Sequence, residues 1–93
     1  MRTLSPETVV ARRPEPLTAQ VDDELVMLDP RQSLYFGLDR IGRRIWELLE
    51  RPQSVGELCA ALEDEFDVST ETCRADVLGF LGRLDEAELL EIR

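Results

Sequence analysis

The chain has 93 residues, with 11 arginines, no lysine and no histidine against 20 acids, for a formal charge of −9. That charge repels phosphate backbones and anionic lipid, so nucleic acid and membrane surfaces are poor partners. Without histidine or lysine there is no Ser-His-Asp or Cys-His catalysis, no histidine-ligated metal and no Schiff-base chemistry. Cys59 and Cys73 are 14 apart and form no C-x-x-C pair, so neither a zinc knuckle nor a redox dithiol is encoded. They read as reduced, buried thiols. No apolar run reaches the roughly 18 residues of a membrane span, and no secretory signal opens the chain, so a cytoplasmic protein is expected. A chain this short buries about 60–68% of its unfolded surface. That leaves little room for an enclosed active site and favours a binding module of one domain, 1–93, with 1–6 flexible.

Residues 1–20 hold Pro6, Pro14 and Pro16, which exclude a long regular element there. Thr8 to Arg12 is β-branched enough for one short strand. Leu25 to Leu28 is a second strand. Asp29-Pro30-Arg31-Gln32 then has the residues a type I turn prefers, and Ser33 to Leu38 returns as a third strand. The period of two puts Leu34, Phe36 and Leu38 on one face, the core face, and Ser33, Tyr35 and Gly37 on the other.

From Asp39 the period becomes 3.6. Asp39 suits an N-cap, and Ile41, Ile45, Leu48 and Leu49 make one helical face. Arg51-Pro52 ends that helix. Ser54-Val55-Gly56-Glu57 is a capping box, and Val55, Leu58, Cys59, Leu62 and Phe66 mark a second helix. A third begins near Ser69 or Thr70, with Cys73, Val77, Phe80, Leu81 and Leu84 on its apolar face and Leu78 beside it. Leu89 to Ile92 is an apolar tail, read as a last strand or a packed extension. The expected fold class is α+β: three short antiparallel strands, then three helices, the last two joined like a helix-turn-helix.

The charged clusters read as solvated surface. Consecutive acids such as Glu63-Asp64-Glu65 cannot converge on one ion from a helix, and Arg43 and Arg44 are offered ion pairs with Glu47. Trp46 reads as a packing residue. The third strand is the sharper signal, because it has neither proline nor charge to blunt an edge. Such an edge is either covered by the domain's own helix or left for another chain to pair.

The run Leu34-Tyr35-Phe36-Gly37-Leu38-Asp39-Arg40-Ile41-Gly42-Arg43-Arg44-Ile45-Trp46 resembles the strand-to-helix junction of the PqqD-like family, the RiPP recognition elements. The resemblance continues through Ser54 to Leu58, Glu65 to Val68 and Ala75 to Leu81. Asp39 stands where the family usually has Asn, another capping residue. The resemblance implies a winged helix-turn-helix with no catalytic activity, metal or cofactor of its own. It implies binding of a precursor's leader peptide, added as a strand on the third strand and lying in a groove against the third helix. The implied partners are a leader peptidase and a cyclase of the lasso-peptide type, or alternatively a radical-SAM enzyme of quinone-cofactor synthesis. The expected peptide site is Leu34, Tyr35, Phe36 and Gly37 on the strand with Arg74, Val77, Leu78 and Leu81 on the helix. Leu81 and Phe36 are the two expected to double as core. A DNA-binding winged helix is the rival that charge disfavours; a dimerisation module that pairs the open edge with itself is another, so a homodimer without peptide is among the expectations.

Overall fold

The computed structural model describes residues 4–14, 17–22, 24–29 and 34–93. In chain order the elements are β1 (Val9–Arg12), β2 (Leu17–Val21), β3 (Glu24–Asp29), β4 (Leu34–Leu38), α1 (Arg40–Leu48), β5 (Gln53–Ser54), α2 (Val55–Glu65), α3 (Thr70–Glu86) and β6 (Leu90–Ile92). This is the expected α+β winged helix-turn-helix. The strands form two antiparallel sheets, ordered β2-β3-β4 and β5-β1-β6.

The membership of the first sheet differs from expectation. Its third member is Leu17–Val21, where Leu17 pairs with Leu28 and Val21 with Glu24. The strand foreseen at Thr8 to Arg12 instead joins the second sheet, between Gln53–Ser54 and the apolar tail. Proline explains the division: Pro14 falls between the two strands and interrupts any continuous ladder. The turn foreseen over Asp29 to Gln32 lies outside the described residues from Pro30 onward. Asp29 itself closes β3, is buried, and is in register with Leu34.

The helices start where the caps foretell. The Asp39 carboxylate accepts from the Gly42 N–H at 2.7 Å. Ser54 and Glu57 form the reciprocal capping box, at 3.1 and 2.8 Å. The Ser69 hydroxyl accepts from the Thr72 N–H at 3.2 Å and opens α3. α3 ends in a Schellman motif: Leu89 N–H donates to Leu84 O at 2.8 Å and Glu88 N–H to Asp85 O at 3.0 Å. Glu88 takes a φ of 60° there, a position glycine usually fills.

The core lies between the helices and the inner faces of both sheets. Ile45, Leu49, Leu58, Leu62, Val77, Leu81, Leu84 and Leu89 are fully buried, with Val10 from β1 and Met27 from β3. Trp46 is also buried; the Arg12 guanidinium lies 5.2 Å from its ring centroid and donates to its carbonyl at 3.1 Å. Arg44 clamps α1 to the end of α2 through both oxygens of Glu65, at 2.7 and 3.2 Å. Arg43 and Arg44 also reach Glu47, as the helical spacing anticipates. Cys59 and Cys73 are neighbours across α2 and α3, with the Cys73 thiol 3.6 Å from the Cys59 carbonyl. No helix among the described residues is long and apolar enough to cross a membrane.

Leu4 to Pro6, within the stretch expected to be flexible, lie against α2. Leu4 packs on the core and the Pro6 carbonyl accepts from Gly56 N–H at 3.0 Å.

Candidate functional site

A strand in a sheet has two rows of backbone donors and acceptors. β4 uses one row on β3, in the register Leu25 to Leu38 and Val26 to Gly37. Among the described residues no strand pairs with its other side. The domain's own terminal strands, β1 and β6, are engaged with each other in the second sheet. Of the two outcomes the sequence allows for this uncharged edge, the described residues leave it without a strand partner. Gly37 is exposed on it, and Leu38 turns into the core.

The helical half of the expected site divides. Val77 and Leu81 are fully buried and belong to the core. Leu81 was expected to double as core; Val77 joins it because both lie on the side of α3 that meets α1 and α2. Arg74 and Leu78 fall on a different flank. They line a cavity of about 320 Å³ with Leu4, Pro6, Gly56 and Cys59, between α2, α3 and the N-terminal segment. The structure thus does not gather Arg74, Val77, Leu78 and Leu81 into one surface. The reason is packing: the four lie within one helical stripe, but α1 and α2 cover its Val77 and Leu81 side completely and leave Arg74 and Leu78 at its margin.

The flank of α3 turned toward the β4–α1 junction carries Asp76, Phe80 and Arg83, at i, i+4 and i+7. With Asp39, Ile41, Gly42 and Ile45 they line a cleft of about 150 Å³. A Cβ built on Gly42 would stand 3.2 Å from the Phe80 ring, so the ring rests on α1 backbone. Arg83 stacks over the same ring, 5.5 Å from its centroid. Asp76 and Arg83, both exposed, flank the ring with opposite charges. This cleft offers an apolar floor and two polar rims immediately beside the end of the open strand. Sequence reasoning counted Phe80 as core only. The i, i+4, i+7 spacing of Asp76, Phe80 and Arg83 is the signal that could have found the flank.

Both thiols are poor nucleophiles. Burial raises the pKa of Cys59, and it pushes Cys73 up to about 11, with the neighbouring Cys59 adding to the effect. At neutral pH both are protonated packing groups.

The family model described as Coenzyme PQQ synthesis protein D (PqqD) matches residues 24–90, from β3 to the first residue of β6. Among solved structures, the chain is similar to TbiB1 in complex with the TbiA(beta) leader peptide. The two are 38% identical over 87% of this chain and 94% of that one, with a TM-score of 0.75. It is also similar to a lasso peptide synthetase B1 complexed with the leader peptide, 26% identical over 88% of this chain and 96% of that one, TM-score 0.74. The fold is shared with the PqqD truncation of Methylobacterium extorquens PqqCD, a stand-alone RiPP recognition element, at 21% identity over 96% and 95% of the chains and a TM-score of 0.78. No curated protein matches the chain.

Proposed function

This chain belongs to the PqqD family, and from that premise we propose that it binds the leader peptide of a ribosomally made precursor and presents it to modifying enzymes. The leader adds antiparallel or parallel to β4 and completes its unused backbone row. One observation carries the reading: an uncharged, unpaired strand edge runs into a cleft floored by Phe80. Backbone pairing supplies sequence-independent affinity, and a side chain of the leader seated on Phe80 supplies specificity. Leu34, Tyr35, Phe36 and Gly37 provide the strand. On α3 the contacts pass to Asp76, Phe80 and Arg83, because Val77 and Leu81 have no free surface. Arg74 and Leu78 stand on the α2 flank and serve as the control.

The lasso-peptide setting is favoured over quinone-cofactor synthesis. The two relatives above 25% identity are both leader-peptide complexes, one of them named a lasso peptide synthetase component, whereas the PqqD truncation supports the fold alone. The partners in that setting are a leader peptidase and a cyclase. The domain works by binding; the chemistry resides in those enzymes.

The test is a titration of a fluorescent synthetic leader peptide followed by anisotropy, paired with amide hydrogen exchange. Amides of Leu34 to Leu38 on the open side should gain protection on binding. Asp76→Arg should change affinity by about tenfold or more, equivalent to about 1.4 kcal/mol, while Leu78→Glu leaves it within about twofold. Protection confined to the Leu4–Pro6 and α2 side, with Leu78→Glu as the damaging variant, would move the site to the other flank of α3.

A further inference from the structure

The end of β1 brings two arginines to one cavity. Arg12 N–H donates to Leu49 O at 3.3 Å and Arg13 N–H to Leu89 O at 3.0 Å, so both backbones are fixed. Their side chains join Pro14, Thr18, Trp46 and Glu50 around a space of about 360 Å³, between β1, the start of β2 and the C-terminal end of α1. Arg12 is already engaged: it lies over the Trp46 ring and donates to the Trp46 carbonyl. Arg13 is not. Its Nε is buried and has no hydrogen-bond partner. A guanidinium donor shut away from water without an acceptor costs free energy, and an acceptor brought in from outside recovers it. Arg43, Arg44 and Arg93 each reach a glutamate carboxylate, whereas among the described residues no ion pair reaches Arg12 or Arg13.

We propose that this cavity takes the carboxylate of a single acidic side chain, aspartate or glutamate, carried by a peptide segment. Three observations select that occupant. The first is charge. Arg12 and Arg13 against Glu50 leave one positive charge in the cavity, which matches a monoanion. Glu50 and the overall charge of −9 work against a dianion such as phosphate. The second is shape. The N–H fork of a guanidinium fits the two oxygens of a carboxylate, and Thr18 adds a hydroxyl donor on the cavity wall. The third is place. Thr18 belongs to β2, which among the described residues pairs only with β3. A peptide running along the other backbone row of β2 turns every second side chain toward the cavity, an advantage that a free small acid lacks. β2 and β4 are opposite edges of their sheet, so the site neither competes with a strand on β4 nor rests on the strand-addition reading.

The experiment titrates the full chain with three probes: a blocked peptide of alternating valine and threonine with one central glutamate, its glutamine counterpart, and sodium acetate. The readouts are Trp46 fluorescence and the Arg13 Nε–H resonance by NMR. The glutamate peptide should shift that resonance and bind about tenfold more tightly than the glutamine peptide. Arg13→Gln should abolish the difference, and Glu50→Gln should strengthen glutamate binding by about threefold. Circular dichroism checks that both variants are folded, and both should bind the leader peptide within about twofold of wild type, because β4 is untouched. Equal binding of the two peptides, or a preference that survives Arg13→Gln, overturns the proposal. So does acetate that binds as tightly as the glutamate peptide, since the cavity is then a small-anion site. Glu15 lies two residues beyond Arg13 in sequence. Binding that appears only in Glu15→Gln would give the cavity to the chain's own acid and overturn the proposal as well. Failure of the wild type to bind leader removes the strand-addition reading and leaves this one standing.

Discussion

The β5-β1-β6 sheet is the poorer of the two by hydrogen bonding, with strands of two to four residues; β2-β3-β4 has strands of five and six. Yet the poor sheet is the one the core grips. Val10, Ala11 and Leu90 are buried on it, and loop bonds tie its strands to their surroundings, Arg12 N–H to Leu49 O at 3.3 Å and Arg13 N–H to Leu89 O at 3.0 Å. In the regular sheet Val26, Met27 and Leu38 are buried on β3 and β4, but every residue of β2 is exposed. Ladder regularity and tertiary anchoring are thus separable. The short strands close the domain on itself; the long ones are held out.

The contrast can be broken most severely beside the anchored sheet. Leu89→Ala removes a fully buried side chain between α3 and β6. It should cost about 2–5 kcal/mol by urea unfolding, whereas Leu17→Gln on the exposed strand should cost less than about 0.5 kcal/mol. Equal costs would show that the two sheets are equally anchored. Arg12→Ala strips both the stacking on Trp46 and the bond to its carbonyl. A loss of about 1–2 kcal/mol is expected, read from Trp46 fluorescence during denaturation. Glu88→Gly relieves a left-handed residue in the Schellman turn that leads into β6. It should raise stability by about 1 kcal/mol in a thermal melt. A further effect appears only at alkaline pH. The Cys73 thiol is held up to about 11 by burial, against an ordinary value of about 8.5. Its contribution is complete below the unfolded value and declines as pH rises from there through the folded one. Wild-type stability should sag between those limits, and Cys73→Ala should flatten the sag in paired urea titrations.

Much of the helical half was legible because its signals are local. Asp39, Ser54 with Glu57, and Ser69 each announce a helix within three residues of sequence, and each cap forms. β2 was missed because Leu-Thr-Ala-Gln-Val sits just after Pro16 and alternates as well as a loop would; its pairing with β3 is a tertiary fact. The partner of β1 was hidden for the same reason, since β5 is two residues long and β6 three. At the candidate site the uncharged edge was readable on β4, while whether the domain covers it was not. Nor was the choice of flank on α3. Apolar residues at 77, 78, 80 and 81 surround the helix, and only packing decides which of them the core consumes.

Gly42 sets a rule for how such a cleft could change. Its floor is a ring pressed on bare main chain, and any side chain introduced at 42 meets the Phe80 ring and the Asp39 carboxylate within 3.2 Å. A substitution there forces the ring or the carboxylate to give by a few tenths of an ångström. New preferences for a guest sequence are written at less cost on the opposite wall, at Asp76 and Arg83, and along the strand that greets it. A library built to retarget this domain should spend its diversity there and leave the α1 start untouched.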